Sequence, residues 1–109
     1  FGKLKEAEHS QRKAIRLNPN YANAHSNLGN VLKDLGNLTE AEYSQRKAIE
    51  LNPKFTIAYL NLGNTLKELG KLQEAELFTQ KAIELNPSLA EAHLNMGVIL
   101  KDLGKIKEV

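Results

Sequence analysis

The 109-residue chain is 41% hydrophobic but only 6% aromatic, enough Leu, Ala and Ile for a single domain with one core. Its 15 basic and 13 acidic residues interleave to a net charge of +2, so no single-sign field is built and nucleic acid is not an expected partner. Zero cysteines exclude disulfides and thiolate metal sites and fit a reducing, cytoplasmic setting; without an apolar run near the ~20 residues of a membrane helix, or a signal segment, a soluble protein is expected.

Residues 1–21 place Leu4, Ala7, Ala14, Ile15 and Leu17 at helical spacing before Asn18-Pro19 ends the helix. This helix has a face that an earlier helix is expected to cover. Asn20 is the expected cap of a helix over about 22–35, where Ala24, Leu28, Leu32 and Leu35 form an i, i+4, i+8, i+11 stripe and Gly36 supplies a left-handed C-terminal residue. Thr39 and Glu42 have capping-box spacing for the next helix, which runs to about Leu51 with Glu40 and Glu42 in its first turn, where the helix dipole favours negative charge. Residues 56–89 repeat the pair, with Ala58, Leu62, Leu66 and Leu69, then Leu72, Ala75, Ala82 and Ile83. Ser88 and Glu91 offer a further capping box for the last helix, which Gly104 is expected to end.

Asn18-Pro19, Asn52-Pro53 and Asn86-Pro87 fall 34 residues apart, and laying 22–55 over 56–89 matches twenty of thirty-four positions. The chain is an array whose units cannot bury their apolar faces until a neighbour stacks on them. It resembles the tetratricopeptide repeat (TPR) family, a 34-residue helix-turn-helix with the pattern W-x2-L-G-x2-Y, then A-x3-F, then P. Leu28-Gly29 and Leu62-Gly63 supply the L-G, Ala41 and Ala75 the Ala, Pro53 and Pro87 the Pro. The resemblance implies an all-α, right-handed superhelical solenoid of antiparallel helix-turn-helix units. We expect half a repeat (1–21), two full ones (22–55, 56–89) and the start of another (90–109). Because Phe1-Gly2 aligns with Leu35-Gly36 and Val109 falls just inside the next second helix, the segment is expected to be a cut from a longer array.

The departures concern packing. His25, Tyr59 and His93 occupy the family's Trp position, Leu32, Leu66 and Leu100 its Tyr, and Gln11, Gln45 and Thr79 its Phe. Gln45 and Thr79 are expected to be hydrogen-bonded or at the core edge, since an unpartnered buried amide or hydroxyl costs ~1–3 kcal/mol. The mid-helix glycines Gly29, Gly63 and Gly97 each cost ~1 kcal/mol against alanine, offset by letting the paired helix approach opposite Ala41 or Ala75.

On each first helix, the face opposite the Ala/Leu stripe is, by the resemblance, the inner wall of the superhelix. It carries Asn27, Asn61 and Asn95 at repeat position 6, and Asn30 and Asn64 at position 9. Amides both donate and accept, so the column resembles the asparagine ladders with which TPR superhelices hold peptide backbones. The alternative is that it serves solvent or neighbouring helices. Ile57, Leu60, Leu94 and Val98 put apolar side chains on the same wall, suited to a peptide anchor or to a missing neighbouring element. Lys33, Lys67 and Lys101 stand beside Asp34, Glu68 and Asp102, either a charge-selective row or a self-compensating solvated face. The TPR subfamily that clamps chaperone C-terminal carboxylates needs Lys and Arg at positions 2, 5 and 6; only the asparagines match here, so that activity is not expected.

His25 and His93 lie two units apart and His9 is on a second helix, so packing rather than metal ligation is expected. No catalytic constellation or cofactor motif is present, and Asn37-Leu38-Thr39 is expected to be an unused glycosylation acceptor. The expected function is a non-enzymatic protein-protein interaction scaffold that binds an extended peptide or partner segment. The alternatives are a spacer that forms homo-oligomers by end-to-end repeat stacking, and the substrate-recruiting arm of a larger enzyme.

Overall fold

The computed structural model describes residues 2–108, with side chains for 2–105. Phe1 and Val109, used above to place the ends of the array, lie outside the described residues. Six α-helices follow in order: α1 (Gly2–Leu17), α2 (Ala22–Asp34), α3 (Leu38–Leu51), α4 (Thr56–Glu68), α5 (Leu72–Leu85) and α6 (Ala90–Glu108). No strand occurs among the described residues. Connections this short leave each helix antiparallel to the next, and α4 also touches α2 and α6, so first helices line up beside one another. The resulting stack measures 47 × 28 × 20 Å.

Two kinds of turn set the period. After α2 and α4 the chain turns on Gly36 (φ 86°) and Gly70 (φ 81°), a left-handed conformation that costs glycine nothing. Asn37 N–H then reaches Leu32 O and Gly36 N–H reaches Lys33 O, and Lys71 and Gly70 repeat the same pair on Leu66 and Lys67. This is a Schellman closure, satisfying carbonyls the helix end would leave orphaned. After α1, α3 and α5 the turn is Asn-Pro: the side-chain oxygens of Asn18, Asn52 and Asn86 accept from the backbone N–H two residues on. Pro cannot continue the helix, and the asparagine supplies an Asx turn in its place.

The caps differ from expectation. Tyr21 and Asn37, not Asn20 and Thr39, stand at the N-caps of α2 and α3, and neither makes a side-chain cap bond. Asn20 instead gives its N–H to Asn18, Thr39 falls inside the first turn of α3, and Asn37 donates to Glu40 at 2.9 Å. Ser88 is two residues before α6, and its hydroxyl donates to Asn86, so no capping box forms there either. The Asn-Pro turn takes the Ser88 hydroxyl, while Asn20 and Thr39 fall one residue before and two residues after the N-caps. Gly104 also departs from expectation: α6 runs through it to Glu108. Glycine permits a left-handed turn but does not impose one, and among the described residues no further helix packs back on α6.

The core is a column of Leu and Ala. Leu62, Leu66, Leu72, Ala75, Ile99 and Leu103 form one cluster, Leu28, Leu32 and Ala41 another, with Ile15 packed on the latter. Burying each Leu or Ile contributes about 1.5–3 kcal/mol, so these residues dominate over any surface ion pair. α1 buries no residue fully among those described.

Candidate functional site

The expected inner wall is made by α2, α4 and α6, and the structure divides its apolar members. Leu94, Ile57 and Val98 are exposed, at 70%, 45% and 40%. Leu60 is not available: at 2% exposure it packs with Tyr59, Ala82 and Ala92. The expectation that it offers an open apolar surface is corrected by α6, whose small Ala92 closes over it. Ser26, at the same repeat position, is likewise buried, so this position serves the joint between units.

Asn27 is exposed, and Asn30, Asn61, Asn64 and Asn95 are half-buried. Among the described residues none of these amides makes a side-chain hydrogen bond, and Asn61 Nδ2 is buried without a partner. Asn61 takes part only through its backbone carbonyl, which accepts from Thr65 Oγ1 at 3.1 Å. Of the lysines in the neighbouring row, Lys33 reaches Glu68 of the next unit at 3.9 Å; Lys67 is half-buried and Lys101 exposed. A pair this long and open to solvent contributes little, about 0–1 kcal/mol.

Repeat position 4 has a structural task that the spacing alone did not reveal. His25 Nε2 meets Pro19 O at 2.9 Å, Tyr59 Oη donates to Pro53 O at 2.8 Å, and His93 Nε2 meets Pro87 O at 2.7 Å. A carbonyl only accepts, so both histidines carry the proton on Nε2 and tie each first helix to the turn before it. Among the described residues no three His, Asp or Glu side chains group to hold a metal, and no helix is long and apolar enough to cross a membrane.

Gln45 and Thr79 are fully buried, and among the described residues Gln45 Nε2 and Oε1 and Thr79 Oγ1 have no partner. This corrects the expectation of bonded or edge positions. The reason is steric: each sits over a mid-helix glycine. A Cβ on Gly29 would stand 2.5 Å from Gln45 Cγ and 3.2 Å from Ala41 O, and one on Gly63 would run into Thr79 Oγ1. Gly97 has nothing within 4 Å among the described residues.

The second helices carry an ion-pair ladder that sequence reading missed, although Glu8-x3-Arg12 and Glu42-x3-Arg46 repeat at the array period. Arg12 holds Glu8 at 3.0 Å and Glu40 of the next unit at 2.6 Å; Arg46 holds Glu42 at 2.8 Å and Glu74 at 3.3 Å. Lys71 adds a bond to Glu42 at 3.1 Å. The Arg12 hydrogen bond lowers the pKa of Glu8, while the Glu40 bond raises that of Arg12. Partial burial pushes the Glu42 carboxyl up, but Arg46 and Lys71 together outweigh it and leave the pKa lowered. Two cavities, of about 300 and 280 Å³, open along these second helices, and neither is lined by an asparagine of the wall.

Stacked helical hairpins closed by repeated Schellman and Asn-Pro turns define an α-solenoid. The tetratricopeptide repeat model matches residues 56–89, and a second TPR repeat model matches 2–36 and 29–70. The chain belongs to the tetratricopeptide repeat family. A comparison with curated protein sequences gives no match. Among solved structures it resembles the first TPR of Spaghetti (RPAP3) bound to the HSP90 peptide SRMEEVD, with a TM-score of 0.92 and 28% identity over 94% of this chain and 82% of that one. The first TPR domain of human RPAP3 gives 0.93 and 27%, covering 98% and 84%. An O-GlcNAc transferase of Thermobaculum terrenum gives 0.87 and 27%, over 91% of this chain but 19% of the transferase. These likenesses make the stack a right-handed TPR solenoid.

Proposed function

We propose that the chain is a protein-protein interaction scaffold that binds an extended peptide along the wall of α2, α4 and α6. The observation that carries this reading is the exposure of Ile57 and Val98 beside a row of amides that make no side-chain bond among the described residues. An extended peptide presents N–H and C=O groups in alternation, which Asn27, Asn30, Asn61, Asn64 and Asn95 can meet whatever the peptide sequence. Ile57 and Val98 accept an apolar side chain, with Leu94 available only where no further first helix packs on α6, and Lys33, Lys67 and Lys101 border the track.

The RPAP3 neighbour holds an acidic HSP90 peptide. Here the corresponding wall has Asn23, Ile57 and Glu91 at position 2 and Ser26, Leu60 and Leu94 at position 5, without a cation. The expected ligand is therefore anchored by an apolar residue rather than by a terminal carboxylate.

The test is a peptide-display selection followed by titration of the enriched peptide against wild type and an Asn61→Ala/Asn95→Ala variant. The variant is expected to have a melting temperature no lower than wild type, since neither amide makes a side-chain bond among the described residues, and to lose roughly tenfold or more in affinity, about 1.4 kcal/mol. Unchanged affinity refutes the asparagine track. A second reading, end-to-end association, draws on α1, which buries no residue fully, and on Leu100, exposed on α6. Light scattering that shows mass rising with concentration supports it; a monomer throughout removes it.

A further inference from the structure

The 300 Å³ cavity between α1 and α3 is lined by Arg12, Ile15, His25, Leu28, Tyr43 and Ser44 among others. One repeat further on, the residues 34 positions later are Arg46, Ile49, Tyr59, Leu62, Leu77 and Phe78. There the phenyl ring of Phe78 takes the part of this space bounded by Arg46, Ile49 and Leu62, and a cavity of about 280 Å³ remains beside it along α5. The Arg46 guanidinium lies over it at 5.1 Å, the Tyr59 ring stacks on it at 6.3 Å, and it packs on the cluster containing Leu62, together with Ile49. Four walls that meet Phe78 recur here one unit earlier as Arg12, Ile15, His25 and Leu28, with Ser44 in place of the ring, while Arg16 and Tyr43 on the rim replace Glu50 and Leu77.

We propose that this cavity is a binding site for an aromatic side chain of a protein partner, entering from outside where Phe78 enters from within. The occupant is identified by the repeat itself, because each wall that touches Phe78 has its counterpart here. Ile15 and Leu28 supply the apolar sides. The Arg12 guanidinium is held by Glu8 and Glu40 as Arg46 is held by Glu42 and Glu74, and it caps a ring as a cation over its negative face. His25 is fixed by its bond to Pro19 O and offers the flat surface that Tyr59 offers Phe78. Space is sufficient, since a cavity of about 150 Å³ already admits benzene. The site shares no residue with the asparagine track, so it stands or falls separately from the peptide wall.

The test follows amide resonances of the chain while N-acetyl-phenylalaninamide is added, with N-acetyl-alaninamide as control. Saturable shifts on the order of millimolar, centred on Arg12, His25 and Ser44 and absent with the alanine compound, are the expected result. Ser44→Phe fills the cavity from inside and is expected to abolish the shifts and raise the melting temperature; the Asn61→Ala/Asn95→Ala variant is expected to retain them. No shift, shifts mapping elsewhere, or shifts that persist in a folded Ser44→Phe protein overturn the proposal. So do probe-free shifts that grow with protein concentration, which assign the cavity to a second copy of the chain. Should Ser44→Phe fail to fold, the wild-type map and alanine control decide.

Discussion

Thr79→Val isolates the buried hydroxyl over Gly63. Thr79 is fully buried and its Oγ1 finds no partner among the described residues, so folding strips the hydroxyl of water without replacing the lost bond. Such a group costs about 1–3 kcal/mol, and valine replaces it with a methyl of nearly the same shape and similar helix propensity. The close approach to Gly63 takes back part of the gain, because a methyl is wider than an oxygen. A net stabilisation of about 1 kcal/mol is expected, which for a chain of this size raises the melting temperature by about 4–8 °C. Circular-dichroism melts and urea titrations measure it, with an unchanged urea slope showing that compactness is the same. Thr79→Ser retains the hydroxyl and drops a buried methyl, and is expected to lose about 1 kcal/mol. A fall in stability for Thr79→Val comparable to that for Thr79→Ser would refute the reasoning, because the hydroxyl would then be hydrogen-bonded in the folded protein.

The mid-helix glycines predict opposite signs for one substitution. Gly29→Ala drives a Cβ against Gln45 and the Ala41 carbonyl and is expected to destabilise by about 1–3 kcal/mol, whereas Gly97→Ala meets nothing and gains about 1 kcal/mol of helix propensity. Thermal melts of the two single variants check this, and a loss in both would show that Gly97 is also in close contact. Acid weakens the ladder. Glu8 and Glu42 have pKa values lowered from 4.5, so their contribution is full above about pH 4.5 and is lost as pH falls through the lower folded values. Urea titrations from pH 7 to 3 should show stability declining below about pH 4.5, with part of the decline missing in Glu42→Gln; identical declines would place the acid response elsewhere.

The period, the helices and the left-handed glycines were legible because each rests on residues that recur at fixed spacing and act locally. Leu32, Leu62 and Leu66 read as core from their stripe, and Gly36 as a turn from its place after the stripe. The capping residues were not legible because helix starts shift by one or two residues, which leaves Asn20 and Thr39 off the N-caps, and because Asn86 takes the Ser88 hydroxyl. Leu60 was misplaced because a single helix cannot show that the next first helix covers one flank of its wall. Gln45 and Thr79 were expected to find partners on general energetic grounds, but the notches over Gly29 and Gly63 hold them where none is available. The cavity at Ser44 was visible in principle as the Ser44/Phe78 difference between copies; its meaning required knowing what surrounds Phe78.

The ion-pair ladder reinforces an array that packing leaves mechanically uneven. Within a unit, α2 with α3 and α4 with α5 pack more extensively than α3 does with α4. Each hairpin is thus a stiff element and each joint a softer one, and the bonds from Arg12 to Glu40 and from Arg46 to Glu74 cross those joints. They act as tethers that resist opening between neighbouring hairpins, while apolar contacts supply the hinge. Because mobile ions screen exposed pairs, ionic strength tunes the bending stiffness of the solenoid without touching its hairpins, and with it the pitch at which successive asparagines are presented.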